Sequence, residues 1–444
     1  MSHATQLHHR GYLADYMQIM NASALPGNVY DAVYGQVNQR VVASVKWTLE
    51  QALDEEVQDS LGWERYERGL RPRRPEETRS GSYKRELWTQ YGCIFDLCVP
   101  KLRRGNRDLH WQSIERYERC WGPFLDQQLL HYALGHSLRD LQEAMHLTLG
   151  EGLSLDACNR LVLGLEKRAQ AFKTARLENP PPIVLVDGVW LKLAVPTGDI
   201  KRDAVGRKRP VKHKAKRVML TALGLWEDGH WEILTWQLAP REDAGSWGEF
   251  LGTLYRKGIT EETTHLIVSD GAQGLDKALY SHLWGVPHQR CIFHKIKNIA
   301  DHLQYTELLA AAHETALAPS RQAKQAYKQA ILADAGQLYA TDSELEIRTR
   351  AQAFHDKWAS LEPKAVEVFM NGFEQTLSYL TVDFPRAHVS LIRTTNLLER
   401  FHKEIRRKQR DIGMFQSETG CEVFWYMVAA RETAKQRAAC RGSG

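Results

Sequence analysis

At 444 residues the chain is too long for one ordinary domain and points to two or three. Charged residues make up 25% and apolar residues 43%, a globular balance that excludes wholesale disorder, and the lack of any long apolar run excludes a helical membrane span. The net charge of +5 permits a nucleic-acid partner without demanding one.

The distribution of charge says more than its sum. Nine Lys or Arg stand against one Asp between Lys201 and Arg217, and six against one Glu from Arg400 to Arg410. Such blocks are often solvated faces, but two of them beside candidate acids tilt the reading toward phosphate binding. The opening MSHATQLHHRGYLADYM lacks the apolar stretch and cleavage site of a secretory signal. Seven scattered cysteines do not build a disulfide framework, so a cytoplasmic compartment is expected.

In chain order, Val41 to Leu61 reads as an amphipathic helix with an acidic second half, and Arg71 to Ser82 as a linker rich in Arg, Pro, Gly and Ser. RELWTQYGCIFDLCVPKLRRG alternates like a hairpin, with Tyr91-Gly92 at its turn and Pro100 closing it. A helical stretch follows. FLDQQLLHYALG ends at Gly135, SLRDLQEAMHLTLG opens on Ser137 with Asp140 three residues on, and the next segment opens on Ser154. Three short helices suit a helix-turn-helix with Leu153 to Arg168 as the reading helix, and equally an ordinary helical bundle.

Asn179-Pro-Pro-Pro182 marks a boundary. Beyond it come three strands (IVLVDGVWLKL, RVMLTALGLWEDG, HWEILTWQLAP), a helix capped by Ser246, the strand THLIVSDG, the helix GLDKALYSHLWG and the strand HQRCIFH. The expectation is an α/β mixed sheet of five strands covered by helices. From Lys295 to about Leu380 the chain reads as helical, rich in Ala, Gln and Glu.

Three acids could do chemistry, each with a plain alternative. Asp270 ends an apolar strand, where ligands of open α/β sheets sit, yet Asp-Gly is also a turn. Asp187 lies among apolar residues, where a carboxylate is costly unless paired or metal-bound, yet VLV-Asp-Gly-VWL is also a hairpin signal. Glu399 sits three residues after Asn396, the pattern of a capping box, with Lys403, Arg406, Arg407 and Arg410 along the following turns. Nucleophile elbows, Walker loops and His-Glu-x-x-His motifs are missing. Cys291 and His294 carry metal-ligand chemistry without a second pair at zinc spacing, and Cys93 and Cys98 form at most a half-site.

Taken together, VSDGAQGLDKAL, VPHQRCIFHKIKNI and LIRTTNLLERFHKEIRRKQRDIG resemble the mutator-type transposases of bacterial insertion sequences. The resemblance runs from roughly Val41 to Gly413 and rests most on Thr-Thr-Asn-x-x-Glu and Gln-Arg-Cys-x-x-His. It implies a ribonuclease-H-like fold with an all-helical insertion and a mainly helical N-terminal DNA-binding region. Domains are then expected at 1–80 and 81–179 (N-terminal helix and linker, then hairpin and helical DNA-binding region), 180–299 (catalytic core), 300–385 (insertion) and 386–444 (Glu-bearing and C-terminal helices). The acid triad falls on Asp187, Asp270 and Glu399, and the Cys-x-x-His signature on Cys291 and His294. The basic segment 201–217 is longer than the family's usual connection between its first two strands.

The implied chemistry is a DNA transposase using two Mg²⁺ ions, for which Mn²⁺ can substitute, about 3.5–4 Å apart on the three acids. Water first frees a 3′-hydroxyl at the element's end, and that hydroxyl then attacks target DNA. His294, Cys291 and Asn396 would support the site, and Lys403, Arg406, Arg407, Arg410 and His294 would touch DNA. The expected partners are the terminal inverted repeats, target DNA and at least a second copy of the chain. Rival readings are another nuclease on the same fold, a catalytically inactive DNA-binding regulator, and a zinc scaffold built on Cys93, Cys98, Cys291 and His294.

Overall fold

The structure, a computed structural model, describes residues 27–62, 78–103, 111–114, 119–149, 152–202, 204, 206–283, 285–315 and 319–441. Most of the expected linker at 71–82 lies outside them. The chain divides into two compact units, Met1–Val162 and Leu163–Gly444.

In the first unit, Leu49, Leu53 and Val57 recur every fourth residue and form the buried stripe of helix α1 (Gly27–Leu61). The stripe packs on the hairpin of β1 (Arg79–Thr89) and β2 (Gly92–Leu102), against Leu87, Ile94, Leu97 and Val99. The helix's acidic half has a purpose here. Glu50 accepts the Cys98 N–H at 2.8 Å, Asp54 pairs with Arg79, and Glu56 accepts the N–H groups of Gln112 and Ser113. The hairpin turns at Gln90-Tyr91, one residue before the expected Tyr91-Gly92. Pro100 does not close it; it lies inside β2 opposite Ser82.

Helices α2 (Gly122–Ala133), α3 (Leu138–Leu149) and α4 (Leu155–Leu163) follow. Gly135, at φ 109°, ends α2 in a left-handed turn in which the His136 N–H reaches the His131 carbonyl and the Gly135 N–H that of Tyr132. Ser137 and Asp140 form a reciprocal capping box at the start of α3, and Ser154 Oγ accepts the Ala157 N–H at the start of α4. The expected reading helix does not run to Arg168. It breaks at Gly164-Leu165 and resumes as α5 (Glu166–Thr174), glycine being a poor residue for a helix interior.

The second unit is built on a five-stranded mixed sheet in the order β5-β4-β3-β6-β7. β3 (Ile183–Arg202), β4 (Lys208–Leu225) and β5 (Trp231–Ala239) form an antiparallel meander. β6 (Leu266–Ser269) and β7 (His288–Arg290) run parallel to β3. Val184, Val186, Val218, Leu220 and Leu234 pack on Trp247, Phe250, Leu251 and Leu254 of α6 (Ala244–Arg256) and on Leu275 and Leu279 of α7 (Gln273–His282). The expected cap of α6 was Ser246. The cap is Asp243, whose Oδ1 accepts the Ser246 N–H at 2.9 Å, because Asp243 holds the extended backbone that a cap requires.

After β7, the expected strand HQRCIFH stops at three residues, and Cys291 caps α8 (Ile292–Asp301). Four more helices follow: α9 (Thr306–Thr315), α10 (Arg321–Gln337), α11 (Glu344–Trp358) and α12 (Pro363–Met370). Two buried charges hold them. Glu362 accepts the N–H groups of Gln304 and Thr306, and Lys295 of α8 donates to the carbonyls of Val368 and Asn371. The chain then returns to the sheet, where Gln289 of β7 bonds Thr376 and Tyr379. Short α13 (Val389–Ile392), then α14 (Asn396–Ile412) and α15 (Glu418–Arg441) complete the unit. Among the described residues no helix is long and apolar enough to cross a membrane.

Asp243→Ala is expected to lower the melting temperature, because it orphans the Ser246 N–H, whereas Ser246→Ala keeps that N–H and should leave it nearly unchanged. Thermal unfolding of the two variants beside the wild type checks the assignment.

Candidate active site

Asp187 is not at a turn. It lies mid-strand in β3 opposite Thr221 of β4, and the strand continues through Gly188. Glycine is used there for space, since a Cβ at 188 would stand 3.0 Å from Glu242 Oε1. Val184 and Val186 face α6 and α7, so alternation sends Asp187 to the other face of the sheet, under α14. There His402, 2% exposed, places Nδ1 3.2 Å from Asp187 Oδ2. Its Nε2 is buried and makes no hydrogen bond among the described residues. Donation to the carboxylate therefore fixes the proton on Nδ1, and the ring rests against Trp425.

Asp270 follows β6. In the parallel register Leu185 pairs with Val268, and two further residues on each strand bring Asp270 level with Asp187. Neighbouring strands lie about 4.8 Å apart, so the two carboxylates start from adjacent rails. The loop that carries Asp270 is braced. Ser269 Oγ lies 2.7 Å from His288 Nε2 and accepts the Gly271 N–H, and Asp270 Oδ1 accepts the Ala272 N–H. Burial pushes the His288 pKa down to about 4, which keeps its ring neutral at ordinary pH. Gly271 sits at φ 83°, and a Cβ there would fall 2.1 Å from Arg290 Nε.

Glu399 lies in the first turn of α14, and the capping box that its spacing from Asn396 also allows does not form. Thr395 is the N-cap and Asn396 the exposed first helical residue. The Glu399 carboxylate accepts the Thr395 hydroxyl at 3.1 Å and so leaves the backbone free of it. Thr395 in turn donates its N–H to the Cys291 sulfur at 3.4 Å, the sulfur also lying 3.5 Å from the Thr395 hydroxyl oxygen, and the Ile292 N–H reaches the Arg393 carbonyl. The Cys-x-x-His segment thus anchors the start of the Glu-bearing helix. One turn into α8, His294 Nδ1 stands 3.8 Å from Glu399 Oε1.

The electrostatics link these groups into one site. Burial raises the Asp270 pKa above the usual carboxylate range, and the Asp187 charge raises it further, against the Ala272 N–H, His294 and Arg290. Glu242 is also raised, by burial and then by Asp270 and Asp187. The His294 pKa is pushed up to about 9, first by its hydrogen bond to Cys291 and then, against the cost of burial, by the charges of Cys291, Glu399 and Asp270. Burial opposes ionisation of the Cys291 thiol, but its bonds to His294 and Thr395 outweigh that and hold its pKa down.

Among the described residues, the one group of three or more metal-ligand side chains with ligand atoms within 4.8 Å of one another is Cys291, His294 and Glu399. Cys93 and Cys98 are not part of it. Lys403, Arg406, Arg407 and Arg410 are exposed and continue the face of α14 on which Glu399 lies, with Arg407 2.9 Å from Glu404. Sequence reasoning missed Glu242 and His402. His402 follows Glu399 by three residues and so shares its side of the helix, which was a usable signal. Glu242, in the loop before α6, gave none.

The family described as "Transposase, Mutator family" matches residues 28–437, a span that takes in both units and every residue of this site. The chain belongs to that family. It is 26% identical over 379 residues to the transposase for insertion sequence element ISRM5 of Rhizobium meliloti, with 85% of this chain and 83% of that one covered. To the transposase for IS905 of Lactococcus lactis it is 25% identical over 381 residues, covering 85% of each. To the transposase for IS256 of Staphylococcus aureus it is 25% identical over 345 residues, covering 77% of each. The solved strand transfer complex of the Drosophila P element transposase matches 70% of this chain and 78% of that one at 13% identity, with a TM-score of 0.28, a likeness too distant to carry an argument.

Gly271→Ala is expected to destabilise this transposase by at least about 1 kcal/mol, from the positive φ and the collision with Arg290 together. Combining it with Arg290→Ala should recover the collision's share only. Equilibrium unfolding of the single and double variants measures both parts.

Proposed function

We propose that this transposase cuts DNA at the ends of its element and joins the freed 3′-hydroxyl to target DNA, using Asp187, Asp270 and Glu399 to hold divalent metal. The observation that carries the reading is the pair of half-buried carboxylates level with each other, Asp187 on β3 and Asp270 just past the end of β6, with the Asp187 charge helping to raise the Asp270 pKa. Such a pair is a poor arrangement for an empty protein and a good one for a cation. Carboxylate oxygens are hard donors and suit Mg²⁺ or Mn²⁺. The bound ions would supply stabilisation of charge on the attacking and leaving oxygens of a phosphodiester.

The remaining residues have positioning work. His402 holds one oxygen of Asp187, and the Gly188 N–H donates to the other. The Ser269–His288 brace and the tight turn at Gly271 aim Asp270. Thr395 holds Glu399, and Cys291 holds Thr395. The Thr395 N–H already held by its sulfur favours this anchoring role for Cys291 over metal ligation. His294, next to Glu399, suits a nearby phosphate oxygen. The stripe of Lys403, Arg406, Arg407 and Arg410 would carry the duplex backbone along α14 toward Glu399.

A five-stranded sheet with three antiparallel strands followed by two parallel ones, and acids on β3, after β6 and on a later helix, supports a ribonuclease-H-like core. On this reading the helices of 300–385 are an insertion into that core, and the region at 81–179 recognises the element's ends. Two ends must be joined in one reaction, so the working form would be at least a dimer.

The test is cleavage of a labelled duplex carrying the element's terminal repeat, in Mg²⁺ or Mn²⁺. Asp187→Asn and Glu399→Gln are each expected to slow cleavage by at least about a hundredfold while binding of the duplex is unchanged. Full cleavage by either variant, or loss of binding in parallel with cleavage, would overturn the assignment of the acids.

A further inference from the structure

The β3–β4 hairpin runs far past the sheet that it belongs to. β4 pairs with β5 only from Val218 onward, and β3 pairs with β6 only over Ile183–Leu185. The two long strands nevertheless stay paired with each other, across one register shift between Pro196 and Ile200, out to Arg202 opposite Lys208. Every described residue from Pro196 to Pro210 is exposed, so neither face of this ribbon is covered. At about 3.3 Å per residue, its tip stands on the order of 50 Å along β3 from Asp187.

The ribbon's charge is as unusual as its length. Lys201 stands opposite Arg209, Arg202 opposite Lys208, and Lys192 opposite Lys216. Like charges directly across a sheet are destabilising. An arm whose only task was to be a stable hairpin would not place them so. Lys212 and Lys214 add further positive charge along β4. Nearer the base the charges are tethered: Lys212 donates to the Gln416 carbonyl, and Arg217 lies 3.8 Å from Glu418.

From this we infer that the β3–β4 ribbon is a second DNA-binding element, which grips the phosphate backbone of duplex DNA away from the acids. This inference rests on the DNA reading of the acid site. A two-stranded ribbon fits the major groove, which is about 12 Å wide, and side chains on both of its faces then meet the two phosphate walls. The like-charged pairs become favourable once each partner faces a phosphate. Because β3 carries both Asp187 and the arm, DNA held at the tip is held in fixed relation to the cutting site, roughly fifteen base pairs along a duplex running parallel to the strand.

The test compares the full-length wild type with two variants, measuring affinity for a nonspecific duplex of about 40 base pairs, long enough to span that reach, across a salt series. One variant removes charge (Lys201→Gln, Arg202→Gln, Lys208→Gln, Lys214→Gln). The other keeps it (Lys201→Arg, Arg202→Lys, Lys208→Arg, Lys214→Arg). The neutral variant is expected to bind more weakly, with a logarithmic salt slope shallower by about 3–4, at roughly 0.9 per lost phosphate contact. It should also melt at or above the wild-type temperature, since two like-charged pairs are relieved. The charge-keeping variant should match the wild type. An unchanged slope in the neutral variant overturns the proposal. So does a loss of binding accompanied by a lower melting temperature, or a loss toward anionic lipid vesicles with none toward the duplex. Failure of the wild type itself to bind duplex in a salt-dependent way would instead overturn the DNA reading on which the arm depends.

Discussion

Two half-buried carboxylates, Asp187 on β3 and Asp270 just past the end of the neighbouring parallel strand, repel each other, and the other residues of the candidate site are arranged around that repulsion. At strand spacing and the effective dielectric of a protein, the repulsion is on the order of a few kcal/mol. The structure holds the pair in place in spite of it. His402 binds one oxygen of Asp187, the Ala272 N–H binds one of Asp270, and His294 brings positive charge beside Asp270 and Glu399. Glu242 adds a further acid to the same space.

The surrounding fold is stiff where this site needs it to be. β6 ends at Ser269, and the polar contacts from Ser269 to His288 and from Gln289 to Thr376 and Tyr379 tie the end of the sheet to the chain returning from the helices of 306–370. Lys295 does the same from the other direction, with its ammonium on carbonyls at the end of α12; burial lowers its pKa to about 8. These links join the segment before the helices to the segment after them. Glu399 can therefore stand beside His294 although a long stretch of chain separates the two.

The strands, the long helices and the caps at Ser137 and Ser154 were legible in the sequence because each depends on residues close together along the chain. Where local pattern and structure part, the cause is tertiary. Asp187-Gly188 alone has the pattern of a hairpin turn, but the expected strand runs straight through it, with Asp187 opposite Thr221 of β4. Asn396 and Glu399 read as a capping box, yet the Glu399 carboxylate is taken by Thr395, itself held by Cys291. Asp243 outranks Ser246 as a cap through backbone geometry that no spacing rule reports. The acids themselves were legible only through their motifs, since each alone had an ordinary structural explanation. The residues that orient them, His402 for Asp187 and His288 for the Asp270 loop, act across the tertiary structure. The basic block at 201–217 was visible as charge, but that most of it pairs with β3 as a long ribbon with an uncovered end was not.

The most direct test of the account is thermal unfolding of the wild type and of Asp270→Asn near neutral pH, each with and without Mn²⁺. The folded-state pKa of Asp270 is raised, so its ionised form costs stability above the usual carboxylate range. Without metal, Asp270→Asn should therefore melt above the wild type. With Mn²⁺ the wild type should gain stability as binding favours the folded state, while the variant gains little. If Asp270→Asn melts lower and Mn²⁺ stabilises both proteins equally, the carboxylate pair is not a cation site and the account fails.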